Sequence, residues 1–408
     1  MSSFRRERGS IPLIPLGFLA FILAVAIRPT EPWTVLWAGS SILFAAVVIT
    51  WGAEAAQFFM AQGFALAILA LLQTLPEFAV EAVLAWHQQV TFLFANLTGA
   101  LRMLTGLGWP MIYFAAATVH RKRTGKPLER IRLDAHHSVE VVALLAALIY
   151  MSVVAAKGSL TVVDGLVLIG IYAGYLLALR KMPPEDEEGI EELETIPRAI
   201  VLSPRPRRIA LISLCFVVGG GLIYLTAEPF LSSLMALAVV VGIPSFVFIQ
   251  WVAPFVSEFP EMASTFYFAR TVTKAPMALM NMVSSNINQW TLLTALLPML
   301  YSFSRGGISP LVMDEQQKLE VVMTLGQALV GWFFLLNMEL AWWEAAFLFV
   351  FWLAQFILSA VTPVGHPIHW YITIIYFVWA GLEFVRLCLG QRKPMAFVEL
   401  AAVWRERH

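Results

Sequence analysis

Apolar runs of about 17 to 25 residues recur along the whole sequence, each long enough for a helix to cross a hydrocarbon core of about 30 Å. They lack the strict alternation of barrel strands, so each must satisfy its backbone hydrogen bonds internally, as a helix. Of the 408 residues 59% are apolar and 13% charged, too few polar side chains to cover a water-soluble body of this length. Lipid is therefore the expected solvent for most of the chain. Breaks at charges, Pro and Gly place spans near 11–27, 33–54, 60–86, 91–118, 137–156, 160–180, 207–241, 243–270, 275–303, 319–339, 342–361 and 368–390. This is an all-α membrane protein of about 12 transmembrane helices.

Positive charge orients the spans. The basic clusters are Arg5 to Arg8, Arg121 to Arg132, Arg180-Lys181 with Arg205, Arg207 and Arg208, Arg270 with Lys274, and the tail Arg392-Lys393 with Arg405 and Arg407. With twelve spans all fall on one side, which predicts an integral protein of the plasma (inner) membrane with cytoplasmic N- and C-termini. The Arg-bearing start resembles a signal peptide but lacks a clear cleavage site, so the first span is read as retained. Segment 183–206, with Glu185-Asp186-Glu187-Glu188, Glu191, Glu192 and Glu194, is an acidic cytoplasmic linker, read as a solvated charge run rather than a regulatory ion site. The chain divides into 1–32 (N-terminus and extra first span), 33–182 (first half), the linker 183–206, 207–362 (second half) and 363–408 (extra last span and tail). Cys215 and Cys388 are single residues inside apolar runs and offer neither a disulfide framework nor a thiolate metal site.

The two halves repeat one another. Gln73-Thr74-Leu75-Pro76-Glu77-Phe78-Ala79 in the third span has its counterpart in Ser257-Glu258-Phe259-Pro260-Glu261-Met262-Ala263 in the eighth. Each is followed by a span opening on a polar motif, Asn96-Leu97-Thr98-Gly99-Ala100 and Asn281-Met282-Val283-Ser284-Ser285-Asn286, at 19 residues from Glu77 and 20 from Glu261. Five helices per half make the halves cross the membrane in opposite senses, giving two inverted five-helix repeats plus one extra helix at each end. Such repeats place substrate sites near the midplane between broken helices.

The motif chemistry suits a hard cation. Pro inside a helix frees the carbonyl four residues earlier, here Leu72 or Val256, and the next residue supplies a carboxylate. Thr74, Glu77 and Glu81 share one helix face, as do Glu258, Glu261 and Thr265. Asn281, Ser284, Ser285 and Asn288 form a further stripe, with Asn286 and Gln289 at its margin. Calcium takes six to eight such oxygens, and ionisable groups at membrane depth are functional by default. The bland alternatives are a simple Pro kink and Ser, Thr and Asn serving as glue between helices. Glu54, Glu140, Glu228 and Glu383 are read as interfacial or paired residues, and His366 and His369 as facing the interface without ligating metal. The sequon Asn96-Leu97-Thr98 sits inside a span and is discounted. No Gly-rich phosphate loop and no Cys/His zinc spacing occurs, which disfavours an ATP-driven pump.

Pro-Glu in one span and Asn-x-x-Gly/Ser-Ser-Asn in the next, duplicated in inverted halves, resembles the α-repeats of the sodium/calcium exchanger superfamily, which read roughly G-T-S-x-P-E and G-N-x-x-G-S-N-x-x-N/D. The resemblance implies that Glu77 and Glu261 are ion-binding glutamates, that Thr74 and Ser257 stand at hydroxyl positions and that Asn96 and Asn281 match the first Asn. Ser285 and Gln289 extend the second set. Departures concentrate in the first repeat, where Ala100, Leu101 and Leu104 replace oxygen-bearing positions and Arg102 follows directly. In the second, Glu258 replaces a hydroxyl and Gln289 the distal Asn/Asp. Two accounts compete: an exchanger with altered ion stoichiometry in which Arg102 is a fixed charge paired to Glu77 or Glu81, or a family member that no longer binds calcium.

The expected activity is secondary antiport of Ca2+, Na+ or H+ by alternating access, with Glu77, Glu81, Glu258 and Glu261 as candidate proton carriers. The rival is a non-transporting membrane scaffold or sensor locked by Arg102. No nucleophile with a base is evident, so the chain is not read as an enzyme; no cofactor and no nucleic acid is expected, only lipid and inorganic cations.

Overall fold

The structure, a computed structural model, describes residues 31–59, 74–182, 193, 195–361 and 367–406. The expected span 11–27, the first part of the third span and the acidic stretch of the linker (183–192 and 194) lie outside these residues. Eight of the described helices are long and apolar enough to cross a membrane.

The chain enters through α1 (Thr34–Gln57) and α2 (Leu75–Trp86). Next, α3 (Val90–Met103) and α4 (Trp109–Thr124) run as one rod through a π-helical turn at Leu104–Gly108. Helices α5 (Ser138–Lys157) and α6 (Val162–Leu179) complete the first part, and α7 (Thr195–Val201) is short. The second part repeats the order: α8 (Arg205–Val241), α9 (Ser245–Ala269), and α10 (Ala275–Asn288) joined to α11 (Thr294–Ser304) by a second π turn at Gln289–Leu293. Then come α12 (Glu315–Leu335), α13 (Trp342–Val361), α14 (Ile368–Cys388) and the C-terminal α15 (Met395–Glu406). Single π turns inside α-helices mark functional sites in many proteins, and both of these fall just beyond the polar Asn motifs.

Two antiparallel ladders tie the parts together. β1 (Arg130–Arg132), between α4 and α5, pairs with β4 (Glu339–Ala341), between α12 and α13. β2 (Ser159–Leu160), between α5 and α6, pairs with β3 (Leu311–Val312), between α11 and α12.

Burial separates hub from periphery. Over the most apolar 18 residues of each, α12 is 83% buried and the α3–α4 rod 78%, against 22% for α8 and 28% each for α6 and α14. The outer helices turn apolar side chains such as Val217, Tyr224, Val239 and Ile374 outward, which only lipid can solvate. Small residues set the closest approaches, as expected where helices pack in lipid. A Cβ on Gly99 would fall 1.7 Å from the Gln250 carbonyl oxygen, so α3 and α9 touch backbone to backbone there. Helix α12 begins at Glu315, before the apolar run near 319, because Asp314 caps it. The Asp314 carboxylate accepts the Gln317 N–H at 2.7 Å, and the Gln317 side chain accepts the Asp314 N–H at 3.1 Å. This capping box holds a polar first turn that hydropathy assigns to the loop.

Candidate functional site

Helices α2 and α9 bring their glutamates together between α3 and α10. Pro76 occupies the second position of α2, where its missing N–H costs nothing. It therefore stands at the start of the described helix, and the carbonyl of Leu72 lies outside the described residues. Pro260 by contrast sits inside α9, as does Pro254, so the two Pro-Glu motifs have different local structure. Glu77 falls in the first turn of its helix, where the dipole and free N–H groups favour a negative charge.

Glu77, Glu81, Glu258 and Glu261 are all buried. The Ser257 hydroxyl, whose hydrogen bonds go to the Ala253 and Pro254 carbonyls of its own helix at 3.3 Å, lies beside the Glu77 carboxylate, which also interacts with the charges of Glu261 and Glu81. Glu258 in turn lies within electrostatic reach of Glu77 and Glu261. Each glutamate has amide or hydroxyl donors around it. Asn96 Nδ2 donates to Glu81 Oε1 at 3.1 Å, and Gln289 Nε2 donates to Glu258 Oε1. Ser285 Oγ reaches both oxygens of Glu261 at 2.7 and 2.6 Å, with Asn281 Nδ2 at 3.4 Å. Among the described residues no Lys, Arg or His pairs with any of the four, and the Oε2 atoms of Glu77, Glu81 and Glu258 are buried without a hydrogen-bond partner. Buried carboxyl groups in this state must be neutralised by a cation or a proton.

The geometry thus gathers Glu77, Glu81, Ser257, Glu258, Glu261, Asn96, Asn281, Ser285 and Gln289. Thr74 is buried at the N-cap of α2 and makes no capping hydrogen bond with its side chain. Thr265, expected on the same stripe, gives its hydroxyl to the Glu261 and Met262 carbonyls of its own helix. Ser284 faces away from Glu261 and meets the Tyr175 hydroxyl at 3.1 Å. Asn286 is structural: its Oδ1 accepts from Trp109 Nε1 at 3.1 Å, and its Nδ2 donates to Thr105 Oγ1 at 3.2 Å and the Leu101 carbonyl at 3.4 Å. It locks the second rod to the π turn of the first.

Arg102 does not join these glutamates. Its Nη2 lies 2.7 Å from Glu320 Oε2, both side chains being 1% exposed. The guanidinium also donates to the Thr98 carbonyl at 3.1 Å and covers the Trp251 ring. Glu320 accepts further from Gln250 Nε2 at 2.9 Å and contacts His369 Nδ1 at 3.2 Å. His369 is thus buried against a carboxylate, which corrects its expected place at the interface; His366 lies outside the described residues. The reason is charge: an arginine in lipid needs a buried counter-ion, and Glu320 on the most buried helix supplies it. Glu320 and Gln250 carry no motif signal in the sequence because each is a lone polar residue outside the repeated motifs. A usable signal existed in Glu320, Thr324 and Gln327, which share one face of α12; Gln327 Nε2 donates to the Arg102 carbonyl at 3.0 Å.

The sodium/calcium exchanger protein family matches the chain twice, at residues 30–180 and again at 211–361. Among solved structures, a crystal structure of the H+/Ca2+ exchanger CAX is similar at 29% identity and a TM-score of 0.84, covering 97% of this chain and 95% of that one. Native YfkE is similar in fold at 14% identity and a TM-score of 0.63, over 86% of this chain and all of that one (100%). The sodium-calcium exchanger NCX_Mj is similar at 16% identity and a TM-score of 0.51, over 86% and 99%. Comparison with curated proteins by sequence gave no match. The matched segments span most of the chain and each contains one Pro-Glu helix and one π-turned rod: this protein belongs to the sodium/calcium exchanger family.

Proposed function

We propose that the protein is a secondary antiporter that exchanges Ca2+ for protons at one site built from Glu77, Glu258 and Glu261, with Glu81 as a proton carrier on the approach to it. The observation that carries this reading is the set of buried carboxyl groups held only by neutral donors. Ca2+ on two carboxylates and two protons on the same pair leave the same net charge. The loaded forms therefore cost similar free energy to move past lipid, whereas the empty dianion is expensive. That asymmetry makes transport an exchange. Carboxylates of Glu77, Glu258 and Glu261 with hydroxyls of Ser257 and Ser285 supply the oxygen-only shell that calcium takes. Similarity to an H+/Ca2+ exchanger over almost the whole chain favours the proton over Na+ as counter-ion.

The proposal includes the layout. Residues 33–182 and 207–362 form inverted five-helix repeats within a twelve-helix bundle, the basic loops face the cytoplasm, and alternating access opens one midplane site to either side. Three features support it: the two family matches have equal length, the π turns fall at matching places, and each ladder pairs a loop of one half with a loop of the other. Arg102 enters as a fixed charge neutralised by Glu320, which leaves the glutamates available and removes the main support for a locked scaffold.

Flux in proteoliposomes tests the reading. Imposed pH gradients drive Ca2+ movement, Na+ gradients drive little, and Glu77→Gln with Glu261→Gln abolishes it. Equal flux in wild type and double variant under every gradient would refute antiport; flux coupled to Na+ alone would replace the proton.

A further inference from the structure

Away from the membrane-buried glutamates, the turn Ala135–His137 leading into α5 gathers a second set of ligand-type side chains. One ligand atom from each of Asp134, His136 and His137 lies within 4.8 Å of the others. Asp134 is exposed, His136 half-buried and His137 buried, so the group is anchored in protein and open on one side. A short turn fixes it, with the His137 N–H donating to the Asp134 carbonyl at 3.0 Å.

Two further carboxylates lie near this turn. Glu140, one turn into α5, sets Oε1 4.0 Å from His137 Nδ1 with its side chain 8% exposed. Its Oε2 is buried with no hydrogen-bond partner among the described residues. The amphipathic α15 packs across the turn and α5 and brings Glu399 close enough to Asp134 for the two charges to repel; Glu399 Oε2 is likewise buried and unpartnered among the described residues. Three carboxylates around two imidazoles hold more negative charge than neutral donors relieve. A bound cation would relieve it, and imidazole nitrogen selects zinc-class ions over calcium, whose shell is oxygen alone.

We propose that Asp134, His136 and His137 form a binding site for a zinc-class divalent cation whose charge, facing Glu399 of α15, fastens the C-terminal helix to the membrane bundle. The imidazoles and the Asp134 carboxylate supply three ligands and leave the fourth place of tetrahedral zinc to water on the open side, while Glu399 contributes negative charge from α15. Glu140 faces the His137 ring as the orienting carboxylate that metal-bound imidazoles commonly have. The site is separate from Glu77, Glu258 and Glu261 and does not depend on what those residues transport.

The test uses the full chain in detergent, purified without a polyhistidine tag and carrying Glu77→Gln with Glu261→Gln so that the membrane site is silent. Zn2+ is titrated calorimetrically and Co2+ by its visible absorption. One Zn2+ binds per chain with Co2+ bands of tetrahedral intensity, and Asp134→Asn or His136→Gln weakens binding about tenfold or more. Both variants alter exposed or half-exposed residues and leave the fold intact, which the unchanged melting temperature of the metal-free protein checks. Glu399→Gln weakens binding several-fold, and Zn2+ slows proteolysis at α15 in the parent but not in this variant. Affinity unchanged by Asp134→Asn and His136→Gln, or no Zn2+ binding at about 1 mM, would overturn the site. Unchanged proteolysis would overturn its hold on α15.

Discussion

Glu261 and Glu77 follow the same proline, yet different parts of the molecule hold them. Glu261 receives its hydrogen bonds from Ser285 and Asn281 of the rod next along the chain. In the first half Ala100 stands where the second has Ser285, and the Asn at the matching place, Asn96, reaches Glu81 instead. The hydroxyl that lies beside Glu77 is that of Ser257, across the interface on α9, although its hydrogen bonds go to its own helix. The second half is locally self-sufficient, whereas the first relies on its opposite number. One step further along the rods, Arg102 of the first half stands where the second has buried Ile287. Loss of oxygens in the first repeat thus leaves the buried glutamates together and ties them to the contact between α2 and α9, which is the contact expected to change under the alternating access proposed above.

Substitutions can break or sharpen this contrast. The largest effect is expected from removing the charge both halves share: Glu261→Gln or Glu77→Gln takes Ca2+ flux in proteoliposomes to the level of empty vesicles. Either variant retaining wild-type flux would mean that the carboxylates are packing groups.

Next in size is the position where the halves differ most. Arg102→Leu strands Glu320 as a buried charge and lowers stability by about 3 to 5 kcal/mol, while Arg102→Leu with Glu320→Leu recovers most of the loss. Thermal unfolding in detergent reads both, and a double variant no better than the single would show that the pair is not a closed unit. Gly99→Ala, in the first half, forces a Cβ against the Gln250 carbonyl and costs about 1 to 3 kcal/mol by overpacking. Ser284→Ala, at the matching place, loses only the Tyr175 contact and costs about 1 kcal/mol. Equal melting shifts would contradict the close approach of α3 and α9.

The smallest effects test local self-sufficiency. Ser285→Ala removes a donor from Glu261 and weakens Ca2+ binding by about tenfold, equivalent to about 1.4 kcal/mol. Ala100→Ser, restoring a hydroxyl to the first half, changes it by only a few-fold, because Glu77 already has the Ser257 hydroxyl beside it. A larger effect at Ala100 than at Ser285 would reverse the assignment of which half is complete.

The legibility of the molecule follows the same line. Among the described residues the apolar helices were readable because lipid allows only such helices, and the gathering of the glutamates because duplication lifts a motif above chance. Glu81 with Asn96, and Glu258 with Gln289, fall on the stripes that helical periodicity marks. Periodicity within single helices could not reveal contacts between them. That Ser257 lies beside Glu77, that Asn286 braces the opposite rod and that Arg102 answers to Glu320 depend on how α3, α9, α10 and α12 cross. The polar start of α12 was hidden because hydropathy scores a capped first turn as loop.

The most direct test of a shared site for Ca2+ and protons is proton release on Ca2+ binding, followed in weakly buffered detergent solution beside a calorimetric Ca2+ titration. The account predicts that Ca2+ displaces protons from the wild type, up to about two per ion, and none from the Glu77→Gln, Glu261→Gln protein. Ca2+ binding without proton release, or release unchanged in the double variant, would contradict it.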